Sequence, residues 1–186
     1  MNIVEEVQEY VHRIDPNLTD ITPYQVQRKG FFGICKVRSP DQNEDLIIKW
    51  QDPTRKQLML NEIESLERTA NRFETPKLVK VYSERDFVAV LKTYTPGSTF
   101  AEIYRSNPIP EIYHRPVREL VLEFHEMGIS GLDPELYNLI LYNNKIKLFD
   151  FDGCAFKDKS EKLFNIKEYF DNVKLERIFQ WNQNFN

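Results

Sequence analysis

Strand-like segments fill much of the first half of this sequence, and they constrain its fold more than any other feature. Each is short, rich in β-branched and aromatic residues, and bounded by polar turns. Short turns between successive strands favour antiparallel pairing. The sequence therefore predicts a five-stranded antiparallel sheet. Its strands are expected at residues 24–28, 34–38, 45–50, 77–84 and 86–94.

Helical patterns accompany these strands. Val4, Val7 and Val11 recur at helical spacing, which predicts a short amphipathic helix that ends before Asp15. A second helix is expected between the third and fourth strands, over residues 53–72. The second half of the chain is mostly helical in pattern, with one β-hairpin that turns at Asn143 and Asn144. Its helices are expected at residues 100–105, 111–127 and 159–181, and its hairpin strands at residues 139–142 and 145–149.

Length and charge limit the kind of protein. The 186 residues fit one ordinary domain or two small lobes around one cleft. The hydrophobic content of 41% is sufficient for a core. With 25 basic and 29 acidic residues the net charge is -4, which argues against a broad nucleic-acid-binding surface. No nucleic-acid partner is indicated, although a local basic patch is compatible with this net charge.

The cysteines and the N-terminus favour a cytoplasmic protein. Cys35 and Cys154 are far apart and form no CxxC pair, so neither a disulfide framework nor a thiolate zinc site is indicated. The first residues are acidic and helical in pattern, unlike a signal peptide. No segment approaches the roughly 20 apolar residues that span a bilayer. We therefore expect neither export nor a membrane span.

Three polar residues between residues 131 and 153 are the most informative about chemistry. Asp133 is followed five positions later by Asn138, and the hairpin ends at Asp150 in the tripeptide Asp-Phe-Asp. A carboxylate can accept a hydroxyl proton, and amide and carboxylate oxygens are ligands that Mg²⁺ prefers. The interval between Asp133 and Asn138 matches that of a phosphotransferase catalytic loop.

The order of these elements resembles the protein-kinase-like superfamily over residues 24–156. The shared order is strands, a helix, two strands, a hinge-like turn and a helix that leads to the Asp-x-x-x-x-Asn and Asp-Phe-Asp elements. The resemblance implies an α+β bilobal fold, with an N-lobe and N-terminal helix in residues 1–94 and a truncated, mostly helical C-lobe in residues 95–186. It also implies that ATP binds between the lobes with Mg²⁺, or Mn²⁺ in its place, and that the γ-phosphate passes to a hydroxyl.

The resemblance assigns roles to four residues of the second half. Asp133 would be the catalytic base, and Asn138 and Asp150 would bind the metal. Asp133 could instead cap the turn at Asp-Pro, and Asn138 could be only a turn former. Asp152 stands where most kinases have Gly, and it is either a second metal ligand or a solvated turn residue.

In the first half, Lys49 follows the apolar run of residues 46–48, as the phosphate-binding Lys of kinase-like proteins does. The alternative is an edge-strand Lys that faces solvent. Glu62 is the expected partner of Lys49, with Glu64 as second choice.

A glycine loop and a hinge complete the expected nucleotide site. Gly30 and Gly33 would cover the phosphates, although Arg28 replaces the first glycine and a plain hairpin is the alternative. Tyr94 would lie in the hinge, whose backbone binds adenine in kinase-like proteins.

Departures from regulated kinases indicate a minimal member. Gly131 and Leu132 replace the usual His and Arg before the catalytic Asp, and few residues follow Gly153. Control by a phosphorylated activation segment is not expected. The chain resembles Rio-like, lipopolysaccharide-kinase-like and short bacterial serine/threonine-kinase-like proteins. We therefore expect an atypical protein serine/threonine kinase. One alternative is a kinase that acts on a small molecule such as a sugar or aminoglycoside. The other is an inactive pseudokinase that binds nucleotide or protein.

Overall fold

The computed structural model describes residues 3–26, 32–40, 44–85, 87–104 and 107–180. The chain divides into two compact units. Unit 1 comprises Met1–Ala70 and Pro76–Tyr94, and unit 2 comprises Asn71–Thr75 and Thr95–Asn186. Over the described ranges the fold is α+β, as the sequence predicts.

Unit 1 contains a five-stranded antiparallel sheet, which confirms that prediction. The strand order is β1-β2-β3-β5-β4, which places β3 at the centre. The first strand begins earlier than expected and includes Pro23. Proline is compatible with this position because β1 is an edge strand, where one row of N–H groups has no partner strand. The strands are β1 (Thr19–Val26), β2 (Phe32–Arg38), β3 (Asp45–Gln51), β4 (Leu78–Ser83) and β5 (Val88–Thr93).

A helix covers each face of this sheet. Helix α1 (Ile3–Ile14) packs Val7 and Val11 against the face that carries Ala89 and Leu91. Helix α2 (Lys56–Arg68) packs Met59 against the opposite face, which carries Val88 and Val90. Alternate residues of a strand point to opposite faces, so the central strands are buried on both sides. A long apolar run in β3 follows from that double burial.

Helix α2 is shorter than the sequence predicts. A single 3₁₀ turn, Pro53–Arg55, precedes it, and the α-helix begins at Lys56. The Asp52 carboxylate caps this turn by accepting the Thr54 N–H at 2.8 Å. Asp caps and a proline in the first turn are typical of helix starts.

In its described residues, unit 2 combines three α-helices and a 3₁₀ turn, Glu111–Tyr113, with short antiparallel strands. The predicted hairpin is present, and Asn143 and Asn144 have φ values of 50° and 59° at its turn. Both residues of a type I′ hairpin turn need positive φ, which Asn tolerates better than most residues. The elements are β6 (Ser98–Thr99), α3 (Phe100–Ile103), α4 (His114–Glu126), β7 (Ile129–Ser130), β8 (Leu139–Tyr142), β9 (Lys145–Leu148), β10 (Ala155–Phe156) and α5 (Glu161–Gln180).

The core of unit 2 forms around α4. Val117, Val121 and Phe124 on one face of this helix are fully buried. The ring of Phe151, also fully buried, lies 5.8 Å from that of Phe124. None of the helices in the described ranges is long and apolar enough to cross a membrane.

Candidate functional site

Asp133 lies in a strained turn between β7 and β8. Its φ of 49° is in the left-handed region, where a non-glycine residue costs on the order of 1–3 kcal/mol. Two bonds to its carbonyl oxygen hold this conformation. The N–H of Glu135 donates at 2.7 Å and the side-chain amide of Asn138 donates at 3.0 Å. The candidate base Asp133 and the candidate metal ligand Asn138 are therefore held at a fixed position relative to each other.

A buried carboxylate in α5, Asp171, holds the backbone that precedes this turn. Its Oδ2 accepts the N–H groups of Gly131 at 2.7 Å and Leu132 at 3.2 Å, and its Oδ1 accepts that of Asp133 at 3.1 Å. The Nε2 of His125 lies 3.0 Å from the same Oδ2. Asp171 thus orients the Asp133 loop, while His125 has a packed, structural position.

Lys174, one helical turn beyond Asp171, contacts the Asp133 side chain itself. Its ammonium forms an ion pair with Asp133 Oδ1 and lies 3.1 Å from Glu135 Oε1. Burial alone would lower the pKa of Lys174, but the hydrogen bonds to Asp133 and Glu135 outweigh it and raise that pKa above its usual range. Helix α5 therefore positions both the backbone and the carboxylate of Asp133.

The β8–β9 register brings Asn138 and Asp150 to one end of the hairpin. Leu139 pairs with Leu148, so the residue before β8 and the residues after β9 leave the hairpin at the same end. The amide nitrogen of Asn138 is committed to the Asp133 carbonyl. Because the nitrogen is the donor in that bond, Oδ1 is the Asn138 atom that could coordinate a metal.

Asp150 and Asp152 flank a fully buried aromatic side chain. Phe151 anchors the segment in the unit 2 core, and both carboxylates stay partly exposed. Among the described residues, no three His, Cys, Asp or Glu side chains approach closely enough to hold a metal ion. The predicted metal ligands are not a group of that type, because Asn138 contributes an amide oxygen beside the carboxylates of Asp150 and Asp152. Such oxygen ligands suit Mg²⁺ or Mn²⁺. Both interpretations of Asp152 stay predictions.

In unit 1, Lys49 lies in the central strand β3 with its side chain only 2% exposed. Its alternative interpretation, an edge-strand Lys that faces solvent, is therefore wrong. The Lys49 Nζ lies 2.8 Å from Glu62 Oε2 in α2. Glu64, the second choice, instead pairs with Arg68 at 2.6 Å.

A second ammonium reaches the same carboxylate. Lys92 in β5 forms an ion pair with Glu62 Oε1, and its side chain is buried. Lys92 is opposite Ile47 and Lys49 is opposite Val90, so the two lysines are diagonal neighbours on one face of the sheet. Sequence reasoning missed Lys92. The available signal was a charged residue directly after the buried run of residues 88–91.

Of the two candidate loop glycines, Gly33 lies among the described residues and Gly30 does not. The predicted phosphate contact of Gly30 therefore stays a prediction. Gly33 is opposite Trp50, and a Cβ on it would lie 1.9 Å from a Trp50 ring carbon. The close packing of Trp50 therefore gives Gly33 a structural role.

Tyr94 ends unit 1, and its backbone N–H is already in use. This group donates to the Asp45 carbonyl at 3.0 Å, while the Lys36 ammonium lies 4.7 Å from the centre of the Tyr94 ring. An adenine contact by Tyr94 would therefore have to involve a different group. The predicted hinge contact stays a prediction.

The predicted residues thus form two sets. Unit 1 holds Lys49 and Glu62 in direct contact, and unit 2 holds Asp133, Asn138 and Asp150 around one turn and one hairpin end. Comparison with protein-family models finds no match, and comparison with curated proteins finds none either. The kinase-like resemblance therefore stays a prediction from the residues of this chain.

Proposed function

We propose that this protein is an ATP- and Mg²⁺-dependent phosphotransferase that moves the γ-phosphate to a hydroxyl acceptor. In this proposal the fold is kinase-like, with unit 1 as its N-lobe and unit 2 as its C-lobe. The observation that carries the proposal is the Asp133 turn. A strained Asp is held through its backbone by Asp171 and Asn138, with Asp150 at the same end of the hairpin as Asn138.

The geometry of Asp133 suits a base that positions a hydroxyl. Phosphoryl transfer depends mainly on positioning and on charge stabilisation, so a fixed carboxylate is more useful than a mobile one. Strained backbone persists where the surroundings over-determine it, and such residues cluster at functional sites. Asp133 would accept the hydroxyl hydrogen bond and then the proton.

The remaining residues have roles that fit a nucleotide. Asn138 Oδ1 and the Asp150 carboxylate would hold Mg²⁺, or Mn²⁺ in its place, and Asp152 would assist or stay solvated. The metal would neutralise phosphate charge as transfer proceeds. Lys49 would bind the α- and β-phosphates, while Glu62 holds its ammonium in place.

The test compares conservative variants of the two key aspartates. Asp133→Asn tolerates the left-handed backbone and removes the base. We expect it to keep nucleotide binding and to lose at least about 100-fold in turnover, the usual contribution of general base catalysis. Asp150→Asn should lose Mg²⁺-dependent binding. Turnover is measured as Mg²⁺-dependent ATP consumption and binding as a thermal shift.

Asp158→Asn is the matched control, because Asp158 is an exposed carboxylate of the same unit. It should leave turnover and binding unchanged. Undiminished turnover in both Asp133→Asn and Asp150→Asn would rule out the phosphotransferase assignment.

One observation favours the second candidate, a pseudokinase. The Lys174 ammonium pairs directly with the Asp133 carboxylate, in competition with a hydroxyl for that group. A pseudokinase would show a nucleotide-dependent thermal shift in the wild type without ATP consumption. The same two measurements therefore separate the candidates.

A further inference from the structure

A pocket in unit 2 shares a wall with the Asp133 ion pair. Its volume is about 300 Å³. Glu135 and Lys174, the two partners in the Asp133 charge cluster, both line it. The pocket therefore adjoins the group that would activate the acceptor. The inference drawn from it rests on the proposed function.

Most of the pocket wall is apolar or aromatic. Tyr104, Ile109, Leu136 and Ile178 are among the lining residues. Small-molecule sites have volumes from roughly 300 to 1,000 Å³ and combine apolar walls with a few polar groups. This pocket is at the lower end of that range, and it suits a compact ring or carbon skeleton rather than a length of peptide.

Arg177 determines the charge that the pocket prefers. The charged residues of the lining are Glu135, Lys174 and Arg177, so the lining carries one net positive charge at neutral pH, and Lys174 is the cation that already pairs with Asp133 and Glu135. Arg177 lies three residues further along α5, lines the pocket, is exposed, and forms no ion pair with any residue in the described ranges. A guanidinium in this position would bind a carboxylate or a phosphate, often with two parallel hydrogen bonds. A polycationic aminoglycoside would meet repulsion from Arg177.

We propose that the acceptor is a hydroxylated small molecule that carries a carboxylate or phosphate group and occupies this pocket. Its anionic group binds Arg177, and its hydroxyl reaches Asp133. The hydroxyl oxygen forms a bond to the γ-phosphorus of ATP as the bond from that phosphorus to the β,γ-bridging oxygen breaks. The hydroxyl proton passes to Asp133, and ADP leaves. The products are the phosphorylated acceptor and ADP.

The first experiment measures binding without nucleotide, by isothermal titration calorimetry. The probes are glucuronate and glucose 1-phosphate, neutral glucose, cationic kanamycin and a serine-containing peptide. We expect the two anionic sugars to bind most tightly. Arg177→Gln should weaken them by about tenfold or more, which corresponds to the loss of a charge-assisted contact. Arg115→Gln, which removes an exposed cation of α4 that pairs with Glu119, should leave their affinity unchanged.

Three results would overturn the proposal. They are no binding of either anionic sugar, equal affinity in Arg177→Gln and the wild type, and tighter binding of kanamycin or the peptide. The second experiment follows transfer of labelled γ-phosphate to each probe that binds. Transfer to an anionic sugar that Arg177→Gln reduces supports the acceptor role, and binding without transfer overturns that role.

The experiments distinguish a failure of the phosphotransferase proposal from a failure of the pocket proposal. ATP consumption and its loss in Asp133→Asn test the phosphotransferase function, and they need no pocket ligand. Transfer to an acceptor that is insensitive to Arg177→Gln would leave the phosphotransferase standing and overturn the pocket assignment. Calorimetric binding that depends on Arg177 tests the charge preference of the pocket even where ATP consumption is absent.

Discussion

Glu62 is a single buried carboxylate that faces two ammonium groups. Removing one partner of a buried ion pair costs about 3–5 kcal/mol, because the remaining charge stays buried without compensation. Glu62→Gln would leave Lys49 and Lys92 close together without their shared anion. We expect this variant to lose about 3 kcal/mol or more in the free energy of unfolding. Urea unfolding of the variant and the wild type measures the difference.

The same substitution two residues later provides the control. Glu64 is also in α2, but its ion pair with Arg68 is of the i,i+4 type and partly exposed. Such pairs contribute only about 0.3–0.5 kcal/mol. Glu64→Gln should therefore be close to the wild type. Similar losses in the two variants would show that the buried cluster contributes no more than a surface pair.

At the residue scale, sequence patterns predict positions whose signal is local and miss those whose role depends on tertiary contacts. The five-residue interval predicts Asp133 and Asn138. Asp171 and Lys174 act on Asp133 across 38 and 41 positions, which no short interval encodes. One clue existed, because Asp171 occupies a buried position of α5 otherwise filled by residues such as Leu175. An acidic residue on a buried helix face requires partners.

At the element scale, the shortest strands were beyond sequence prediction. β6, β7 and β10 have two residues each, too few for any alternation of polar and apolar side chains. The five strands of unit 1 and the hairpin were predictable because each has at least four residues and flanking turn residues. Helix ends were less predictable, since the 3₁₀ turn before α2 has the same sequence signals as a helix start.

The β7–β10 pair requires two backbones to approach closely beside Asp133. A Cβ on Gly131 would lie 2.5 Å from the Gly153 carbonyl oxygen, and Gly131 has a φ of 75°. Gly128→Ala is an internal control, since Gly128 has a φ of 76° but its Cβ would meet nothing closer than 3.5 Å. Both alanines carry the cost of positive φ, about 1 kcal/mol, and only Gly131→Ala adds a backbone collision.

We therefore expect Gly131→Ala to destabilise unit 2 by about 1–3 kcal/mol more than Gly128→Ala, since overpacking costs about that much. It should also lower turnover more, because the displaced backbone leads directly to Asp133. Urea unfolding followed by circular dichroism measures the first effect, and ATP consumption measures the second. Equal stability of the two variants would contradict the close backbone approach as the reason for Gly131.

At the scale of the whole molecule, the fold favours the ionised form of several carboxyl groups. Four of those in the described part of the chain have a lowered pKa, and in three of these the main cause is a hydrogen bond from a side chain. A carboxyl group whose pKa is lower in the folded chain than in the unfolded chain stabilises the fold above its unfolded pKa. That contribution is lost as the pH falls through the folded pKa. We therefore expect acid to destabilise the protein. The four are Asp15, Asp45, Asp52 and Glu176.

Asp15 is the best of these four residues for a test of acid destabilisation, because its hydrogen bonds join the end of α1 to strand β4. Burial alone would raise the pKa of Asp15, but hydrogen bonds from Tyr82, the Asn17 backbone and Lys80 outweigh it and hold that pKa below the usual 3.8. The Tyr82 hydroxyl donates at 2.6 Å and Lys80 at 3.1 Å. Asp15→Asn should cost about 2 kcal/mol at neutral pH, the typical value of hydrogen bonds to a charged group.

The stability cost of Asp15→Asn should depend on pH. This dependence distinguishes the loss of the carboxylate charge from a change in side-chain packing. Below the folded pKa of Asp15 the wild-type carboxyl is itself protonated, so Asp15→Asn and the wild type should converge in stability as the pH falls below 3.8. Asp20→Asn is the control, since Asp20 is 65% exposed and its pair with Arg38 at 3.5 Å is a weak surface contact. Urea unfolding from pH 7 to pH 2.5 tests this. A constant difference between Asp15→Asn and the wild type across that range would show that packing, rather than ionisation of Asp15, joins α1 to the sheet.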